Sequence, residues 1–353
     1  MKFVDLQFEN KNAKLSSKNS FKLIEKTGKY LLGEYLENFE NQFAKDQDKK
    51  YCIGVKNATD ALAISFKALG SENRTVIIPQ FGAYPTVMAA IQANSKNIIA
   101  APVDETLCLN LEDVKIPDNS IIVPVNLFGN ESNLTYLRKR ADETNSHIVE
   151  DCAQSTGIPN NNLSDVSIHS FYPTKPLGCQ GDGGAILTND ERIAKFCKQA
   201  RFYGLNDGII DSWGFNSRMD EWQSCFLTSK LSYYRNLNDT RKENANLYNQ
   251  ILNKSIRYTE NCVYHQYVSL WKDRKYIQKK LSEKGIPTMI HYPKMLIDMP
   301  YLRDKVKFVN ECPRVSDYIL SIPVGPHLTN QNIKKIKKEI NSLKSNLIDF
   351  KEI

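Results

Sequence analysis

The fold is decided by the stretch His147-Ile148-Val149-Glu150-Asp151-Cys152-Ala153-Gln154, in which a short apolar run leads directly into polar residues. Such a run predicts a buried strand, and similar runs precede it at Val76-Ile77-Ile78 and Ile121-Ile122-Val123-Pro124-Val125. Each run lies near a segment with helical periodicity, which is typical of βαβ units and a mainly parallel sheet. The sequence therefore predicts an α/β fold. Asp151 is expected near the carboxyl end of a strand, where it either binds a ligand or caps the next helix.

The C-terminal third of the chain differs in character from this region. After about residue 235 the sequence is dominated by longer Lys- and Asn-rich helical segments. The last of them carries an apolar stripe at helical spacing, formed by Ile333, Ile336, Ile340, Leu343 and Leu347. We therefore expect a large domain over residues 1–240 and a smaller α+β domain over residues 241–353.

Composition excludes several classes of protein. Of 353 residues, 41% are hydrophobic and 25% are charged. The net charge of +7 comes from interspersed charges, which indicate solvated helix faces and would also suit an anionic small-molecule substrate. There is no basic arm for nucleic acid, no apolar run long enough for a membrane span, and no apolar signal-peptide core after Met1. The eight cysteines form no Cys-x-x-Cys pair, and the five histidines have no metal-ligand spacing. These features predict a cytoplasmic protein without a metal site.

One helix start is a candidate phosphate site. The segment Asn57-Ala58-Thr59-Asp60-Ala61-Leu62 reads as a loop opening a helix, with Asn57 or Thr59 as the cap. Free amides at the positive end of the helix dipole suit a phosphate. Any capped helix has the same sequence pattern, so this segment alone does not identify a phosphate site.

Lys175 lies between two prolines, which is unusual for a solvated surface lysine. Lys175 stands in Ser170-Phe171-Tyr172-Pro173-Thr174-Lys175-Pro176-Leu177-Gly178, ahead of the glycine-rich Gly181-Asp182-Gly183-Gly184. A lysine desolvated between two prolines can have a lowered pKa and a nucleophilic amine. A helix-start phosphate site, a strand-end Asp151 and this lysine about 24 residues later together indicate a pyridoxal-phosphate site, in which Asp151 pairs with the pyridine nitrogen.

At these residues the chain resembles the DegT-type sugar aminotransferases, a branch of the aspartate-aminotransferase fold (fold type I). The resemblance covers nearly the whole chain and rests on several ordered matches. Besides the segments quoted above, they are Gly33, Phe39-Glu40, Gly214-Phe215-Asn216-Ser217-Arg218-Met219-Asp220, His291-Tyr292-Pro293 and Pro323-Val324-Gly325-Pro326-His327-Leu328-Thr329.

The resemblance implies a role for each matching residue. Lys175 would hold pyridoxal 5'-phosphate covalently, Asp151 would contact the pyridine nitrogen, and Gln154 would contact the phenolic oxygen of the ring. The remaining expected contacts are to the phosphate, from Ala58, Thr59, Ser170 and, across a homodimer interface, Asn216 of the neighbouring subunit. His291, Tyr292 and Arg218 would bind substrate, although His291 has an equally good structural interpretation.

The chain departs from the family pattern at two positions, Ala83 and Asn126. Ala83 stands where relatives often place an aromatic residue over the ring, so Phe81 or Tyr84 would have to replace it, and Tyr84 is our candidate. Asn126 stands where a histidine is common, which we expect to alter substrate contacts.

The resemblance implies a two-step transamination. L-glutamate would convert the cofactor to pyridoxamine 5'-phosphate, and a nucleotide-linked keto-sugar would then accept the amine. We expect a 3-keto or 4-keto 6-deoxyhexose, dTDP-linked, for surface glycans such as lipopolysaccharide or capsule. The alternatives are a sugar dehydratase, disfavoured because a histidine would replace Lys175, another phosphorylated ketone as acceptor, and a non-catalytic sugar-nucleotide-binding regulator.

Overall fold

A computed structural model describes residues 1–159, 161–252 and 255–353 of the chain. The strands in this part of the chain are β1 (Tyr51–Val55), β2 (Thr75–Pro79), β3 (Asn97–Ala101), β4 (Ile121–Ile122), β5 (His147–Asp151), β6 (Val166–Ser170), β7 (Gly184–Thr188), β8 (Leu205–Asn206), β9 (Ile209–Ile210), β10 (Tyr267–Leu270), β11 (Lys307–Phe308) and β12 (Ile319–Ile322). The α-helices are α1 (Leu6–Ser16), α2 (Lys18–Thr27), α3 (Glu34–Asp46), α4 (Ala58–Ala68), α5 (Pro85–Gln92), α6 (Leu134–Glu143), α7 (Glu191–Ala200), α8 (Glu221–Leu231), α9 (Tyr234–Leu252), α10 (Arg274–Glu283), α11 (Val315–Tyr318) and α12 (Asn330–Leu343).

The main sheet has eight strands in the order β1-β7-β6-β5-β4-β2-β3-β11. All neighbouring pairs are parallel except those made by β7, which runs antiparallel to both β1 and β6. The three strands expected from the sequence are present as β2, β4 and β5, although β4 is shorter than its apolar run. The predicted α/β class, with a mainly parallel mixed sheet flanked by helices, is confirmed.

The antiparallel strand β7 lies between β1 and β6 and brings their carboxyl ends close together. Gly184 at the start of β7 pairs on one side with Val55, the last residue of β1, and on the other with Ser170, the last residue of β6. The carboxyl ends of β1 and β6 therefore lie at the same edge of the sheet, one strand apart, and α4 begins just after β1.

Helix α4 is fixed against the sheet by the face that its periodicity predicts. Ala61, Leu62, Ser65, Phe66 and Leu69 are all buried. Complete burial of a side chain as large as Leu or Phe stabilises the fold by about 2 kcal/mol, so this face holds the helix start rigidly at the sheet edge.

A second hydrophobic core lies in the C-terminal part and includes Tyr248, Trp271, Leu281, Ile336 and Ile340. The expected stripe of α12 is buried from Ile333 to Leu343. Helix α9 runs through the boundary expected at residue 240, and β11 joins the large sheet, so the division into two domains stays a prediction. In the described residues, no helix combines the length and the apolar character needed to cross a membrane.

Candidate active site

The start of α4 presents unpaired amides at the sheet edge. The Asn57 side chain caps the helix by accepting a hydrogen bond from the Asp60 amide at 2.8 Å, as expected. The amides of Ala58 and Thr59 have no acceptor among the described residues, because the first N–H groups of a helix lack an intrahelical partner. This end of the helix can therefore donate two hydrogen bonds to an anion.

Gly184 lets the neighbouring strand approach this helix start. A Cβ atom at Gly184 would lie 2.5 Å from the Asn57 carbonyl carbon and 2.8 Å from the Ala58 nitrogen, both closer than atoms can pack. The glycine is therefore required by contact with the loop. Ser170, its partner on β6, is buried at the same edge.

Asp151 lies at the carboxyl end of β5 and is buried. One of its carboxylate oxygens accepts from the Ala153 amide at 3.1 Å and the other from the Thr86 hydroxyl at 2.9 Å. Burial raises the pKa of Asp151, whereas these two hydrogen bonds and the charge of Lys175 lower it. The two hydrogen bonds thus fix the direction of the carboxylate, and the pKa of Asp151 remains raised overall because burial outweighs them and the charge of Lys175.

Lys175 follows β6 in a turn, where its amide donates to the Tyr172 carbonyl at 2.9 Å. Burial lowers the pKa of its ammonium group from 10.5 to about 8, and the nearby carboxylate of Asp151 opposes this shift. Near pH 7 the side-chain amine of Lys175, the predicted cofactor lysine, is therefore neutral in an appreciable fraction of molecules.

Gln154 connects the segment after β5 to the C-terminal part of the chain. Its oxygen accepts from the Phe128 amide at 2.8 Å, and its nitrogen donates to the Tyr292 hydroxyl at 3.3 Å. Tyr292 in turn lies near Tyr84 and Phe81, with ring centroids 5.9 Å and 6.3 Å away. Phe81 is fully buried, which leaves Tyr84, partly exposed at the start of α5, as the aromatic side chain accessible to a bound ring.

His291 is oriented by a hydrogen bond between its Nδ1 atom and the Ser321 hydroxyl at 2.8 Å. Burial and, secondarily, the charge of Lys175 lower the pKa of His291 to about 4. The structure therefore places His291 beside Lys175 as a neutral imidazole.

Asn216 and Arg218 are not brought against Lys175 within the chain. The Arg218 guanidinium donates to the Asn216 side chain at 3.0 Å and lies over the Phe202 ring. Between them, the Ser217 hydroxyl donates to Asp60 in the first turn of α4 at 2.7 Å. The loop thus lies beside the helix start, with the Asn216 side chain exposed.

Asn126, which stands where relatives have a histidine, is buried and hydrogen-bonded within the chain, and the expected change in substrate contacts stays a prediction. Its amide nitrogen donates to Glu150 at 2.8 Å and to Ser155 at 3.1 Å, and its oxygen accepts from the Ser132 amide at 2.9 Å. Glu150 points away from the face used by Asp151, because successive side chains alternate along a strand. Asn126 therefore belongs to a buried polar network that supports the loop.

Three site residues were missed by the sequence reasoning. Thr86 and Ser321 orient Asp151 and His291 through their hydroxyls, and His265 lies close enough to Lys175 for the charge of Lys175 to lower its pKa. Nothing in the local sequence of Thr86 or Ser321 marks them, because each acts through a partner distant in the chain. A lone histidine such as His265 carries no spacing signal either.

The residues present fit pyridoxal phosphate. Free amides at the α4 start match its phosphate, a buried carboxylate matches a protonated ring nitrogen, and an amine with a pKa of about 8 matches its aldehyde. Gly184 lets β7 pack directly against the Asn57–Ala58 backbone that carries these amides.

The chain is similar over nearly its whole length to known aminotransferases. A model of the DegT/DnrJ/EryC1/StrS aminotransferase family matches residues 12–341. The chain is 30% identical over 352 residues to a UDP-2-acetamido-2-deoxy-3-oxo-D-glucuronate aminotransferase of Pseudomonas aeruginosa, covering 95% of this chain and 98% of that protein. It is 31% identical over 366 residues to a dTDP-3-amino-3,6-dideoxy-alpha-D-galactopyranose transaminase of Aneurinibacillus thermoaerophilus, covering 96% and 98%.

A solved structure extends the likeness to the fold and the cofactor. The structure of NtdA from Bacillus subtilis with bound pyridoxamine phosphate superposes with a TM-score of 0.90 at 26% identity, covering 98% of this chain and 85% of that one. The predicted aspartate-aminotransferase fold and pyridoxal-phosphate cofactor are thereby confirmed. The chain belongs to the DegT/DnrJ/EryC1/StrS aminotransferase family.

Proposed function

We propose that the protein transfers an amino group from L-glutamate to a nucleotide-linked keto-sugar, a 3-keto or 4-keto 6-deoxyhexose carried by dTDP. The observation that carries this proposal is the buried Asp151 beside a Lys175 amine with a pKa of about 8, at the sheet edge that also presents the free amides of α4. Two relatives with about 30% identity bear the names of dTDP- and UDP-sugar aminotransferases, and this supports the acceptor class. The 6-deoxyhexose follows the galactopyranose relative, whose named product is a 3,6-dideoxy sugar.

The site residues have distinct tasks in this reaction. When bound, pyridoxal phosphate acts as an electron sink that weakens the bond to the hydrogen on the donor's α-carbon. The neutral amine of Lys175 accepts that proton and returns it, because its lowered pKa lies near the working pH. Asp151 keeps the ring nitrogen protonated, and the Thr86 hydroxyl holds the carboxylate in the required direction.

The remaining contacts complete the cofactor and substrate sites in the proposal. Ala58, Thr59 and Ser170 hold the phosphate, Gln154 the phenolic oxygen, and Tyr84 covers the ring. His291 and Tyr292 bind substrate from the C-terminal part of the chain.

We infer a homodimer in which Asn216 and Arg218 reach the site of the other subunit. The support is that Asn216 is exposed and that the adjacent β8–β9 hairpin carries Ile209 and Ile210 with 70% and 73% of their surfaces exposed. Burial of these two side chains in an interface would remove apolar surface from water. We place the enzyme in the cytoplasm, in the synthesis of surface glycans.

A substrate panel tests the proposed function. The holoenzyme is incubated with 15N-labelled glutamate and, separately, dTDP- and UDP-linked 3-keto and 4-keto sugars and a keto-sugar phosphate, and products are identified by mass spectrometry. We expect one dTDP-linked 6-deoxy sugar to gain a 15N amine, with Lys175→Ala protein as the inactive control. Amination of the keto-sugar phosphate alone, or of none, would contradict the proposal.

A further inference from the structure

A cavity of about 290 Å³ lies next to Lys175, outside the residues assigned above to the cofactor. Phe3 and Val4 of the N-terminal segment cover it, Thr174 borders it on the side of Lys175, and His265 and His291 line it. This volume lies at the lower end of the range of about 300–1,000 Å³ for ligand pockets. It therefore suits a small molecule or one end of a larger one, rather than a whole nucleotide sugar.

The cavity presents hydrogen-bonding groups that the fold does not use. The His265 ring makes no hydrogen bond to the described residues, and His291 uses Nδ1 for Ser321 and leaves Nε2 free. The carboxamide oxygen of Gln266 is buried in the lining without a partner, and a half-turn of that amide would present its NH2 group instead. A buried polar group without a partner is costly, so these groups indicate a polar ligand.

The charges around the two imidazoles are not balanced. Burial lowers the pKa of His265 and His291, and the charge of Lys175 lowers both further, as Arg241 does for His265. Glu9 is the single carboxylate among the described lining residues, and it forms a buried ion pair with Arg241. A ligand with a negative charge would offset the excess positive potential at the imidazoles.

We propose that this cavity is a carboxylate subsite, in which His265 and His291 hold a carboxylate of the amino donor beside Lys175. This inference rests on the proposed function, since it names where the donor binds. A carboxylate could also come from a uronate sugar, the class named for the Pseudomonas relative. The small volume of the cavity favours the donor.

Histidine resonances provide a test that does not depend on turnover. The chain has five histidines, so their ring protons can be followed individually by NMR across pH. Glutarate, a dicarboxylate that has no amino group to react, is added to the holoenzyme. We expect the pKa of His265 and of His291 to rise, because a bound carboxylate favours the protonated imidazole.

Two controls distinguish a carboxylate of the amino donor from the carboxylate of a uronate sugar. The ring-proton resonances of His147, which lies beside Asp165 at the start of β5, should not move when glutarate is added. UDP-glucuronate in place of glutarate should leave His265 and His291 unchanged. A shift with UDP-glucuronate alone would overturn the donor assignment, and no shift with either ligand would overturn the subsite.

A matched pair of variants tests the same inference by affinity. His265→Asn should raise the Kd of glutarate by about tenfold or more, the loss expected for one hydrogen bond to a charged group. His147→Asn should leave that Kd unchanged. Equal glutarate binding in both variants would overturn the proposed subsite. If the two variants differ in Kd as expected but no keto-sugar of the substrate panel is aminated, only the proposed acceptor would be overturned.

Discussion

The titration of Lys175 in the apoenzyme follows directly from its surroundings. Burial lowers its pKa to about 8, and the charge of Asp151 limits that shift because a negative neighbour favours the ammonium form. With an ordinary pKa near 10.5, about 0.03% of lysine amines are neutral at pH 7; with a pKa of about 8 the fraction is about 9%, roughly 300-fold more. Lys175 should therefore react with electrophiles at pH 7 far faster than a simple alkylamine of similar accessibility.

Competitive trace labelling measures this pKa. The apoenzyme is labelled with acetic anhydride between pH 6 and 11, and the peptide containing Lys175 is quantified by mass spectrometry against a lysine model compound. We expect a midpoint near 8. In Asp151→Asn protein the midpoint should move lower still, because the charge that raises the pKa is gone.

The control is Thr86→Val, which removes a hydrogen bond to Asp151 but keeps its charge near Lys175. Its Lys175 midpoint should therefore stay closer to the wild-type value than that of Asp151→Asn. A midpoint near 10.5 in the wild-type protein, or an upward shift in Asp151→Asn, would refute the desolvation argument.

Three further predictions concern the cofactor cradle, the fold and the dimer. Gly184→Ala should weaken pyridoxal-phosphate binding by at least tenfold in fluorescence titration, because the added methyl group collides with the phosphate loop. Arg241→Met should lower the free energy of unfolding by about 3–5 kcal/mol in urea denaturation, because it leaves the Glu9 carboxylate buried without its partner. Mixing inactive Lys175→Ala and Asn216→Asp proteins under subunit exchange should restore activity, because one site of each mixed dimer keeps both residues.

Each of these has a contrary outcome. Unchanged cofactor affinity in Gly184→Ala would mean that the loop moves aside at little cost. An unfolding free energy within 1 kcal/mol of wild type for Arg241→Met would mean that the ion pair contributes little. Mixed subunits that stay inactive would place Asn216 in the site of its own chain.

The parts of the fold that were predicted from sequence are those governed by local rules. The β-branched runs became β2, β4 and β5, Asn57 capped α4, and the stripe of α12 was buried, since each depends on neighbouring residues alone. The order of the strands and the antiparallel direction of β7 were not predictable, because the pairing of Gly184 with Val55 and Ser170 joins distant segments.

The residues of the candidate site also differ in whether the local sequence marks them. The sequence predicts Lys175 and Asp151 because they stand in recognisable segments next to strand ends, and it predicts Gln154 from the family resemblance. The roles of all three stay predictions. Thr86, Ser321 and His265 were missed because their contacts are made across the fold. The hydrogen bonds of Asn126 lie in a buried network that no local pattern reveals, and its expected effect on substrate contacts stays a prediction.

The residue that forms the covalent link to the cofactor can be located chemically. The holoenzyme is reduced with borohydride, digested, and the modified peptide is sequenced by mass spectrometry. Lys230 is a demanding internal control, because burial also lowers its pKa to about 8, yet its Nζ atom is committed to Asn10 and to the Gly178 carbonyl. We expect a pyridoxyl adduct on Lys175; an adduct on Lys230, or none on the protein, would show that Lys175 does not hold the cofactor.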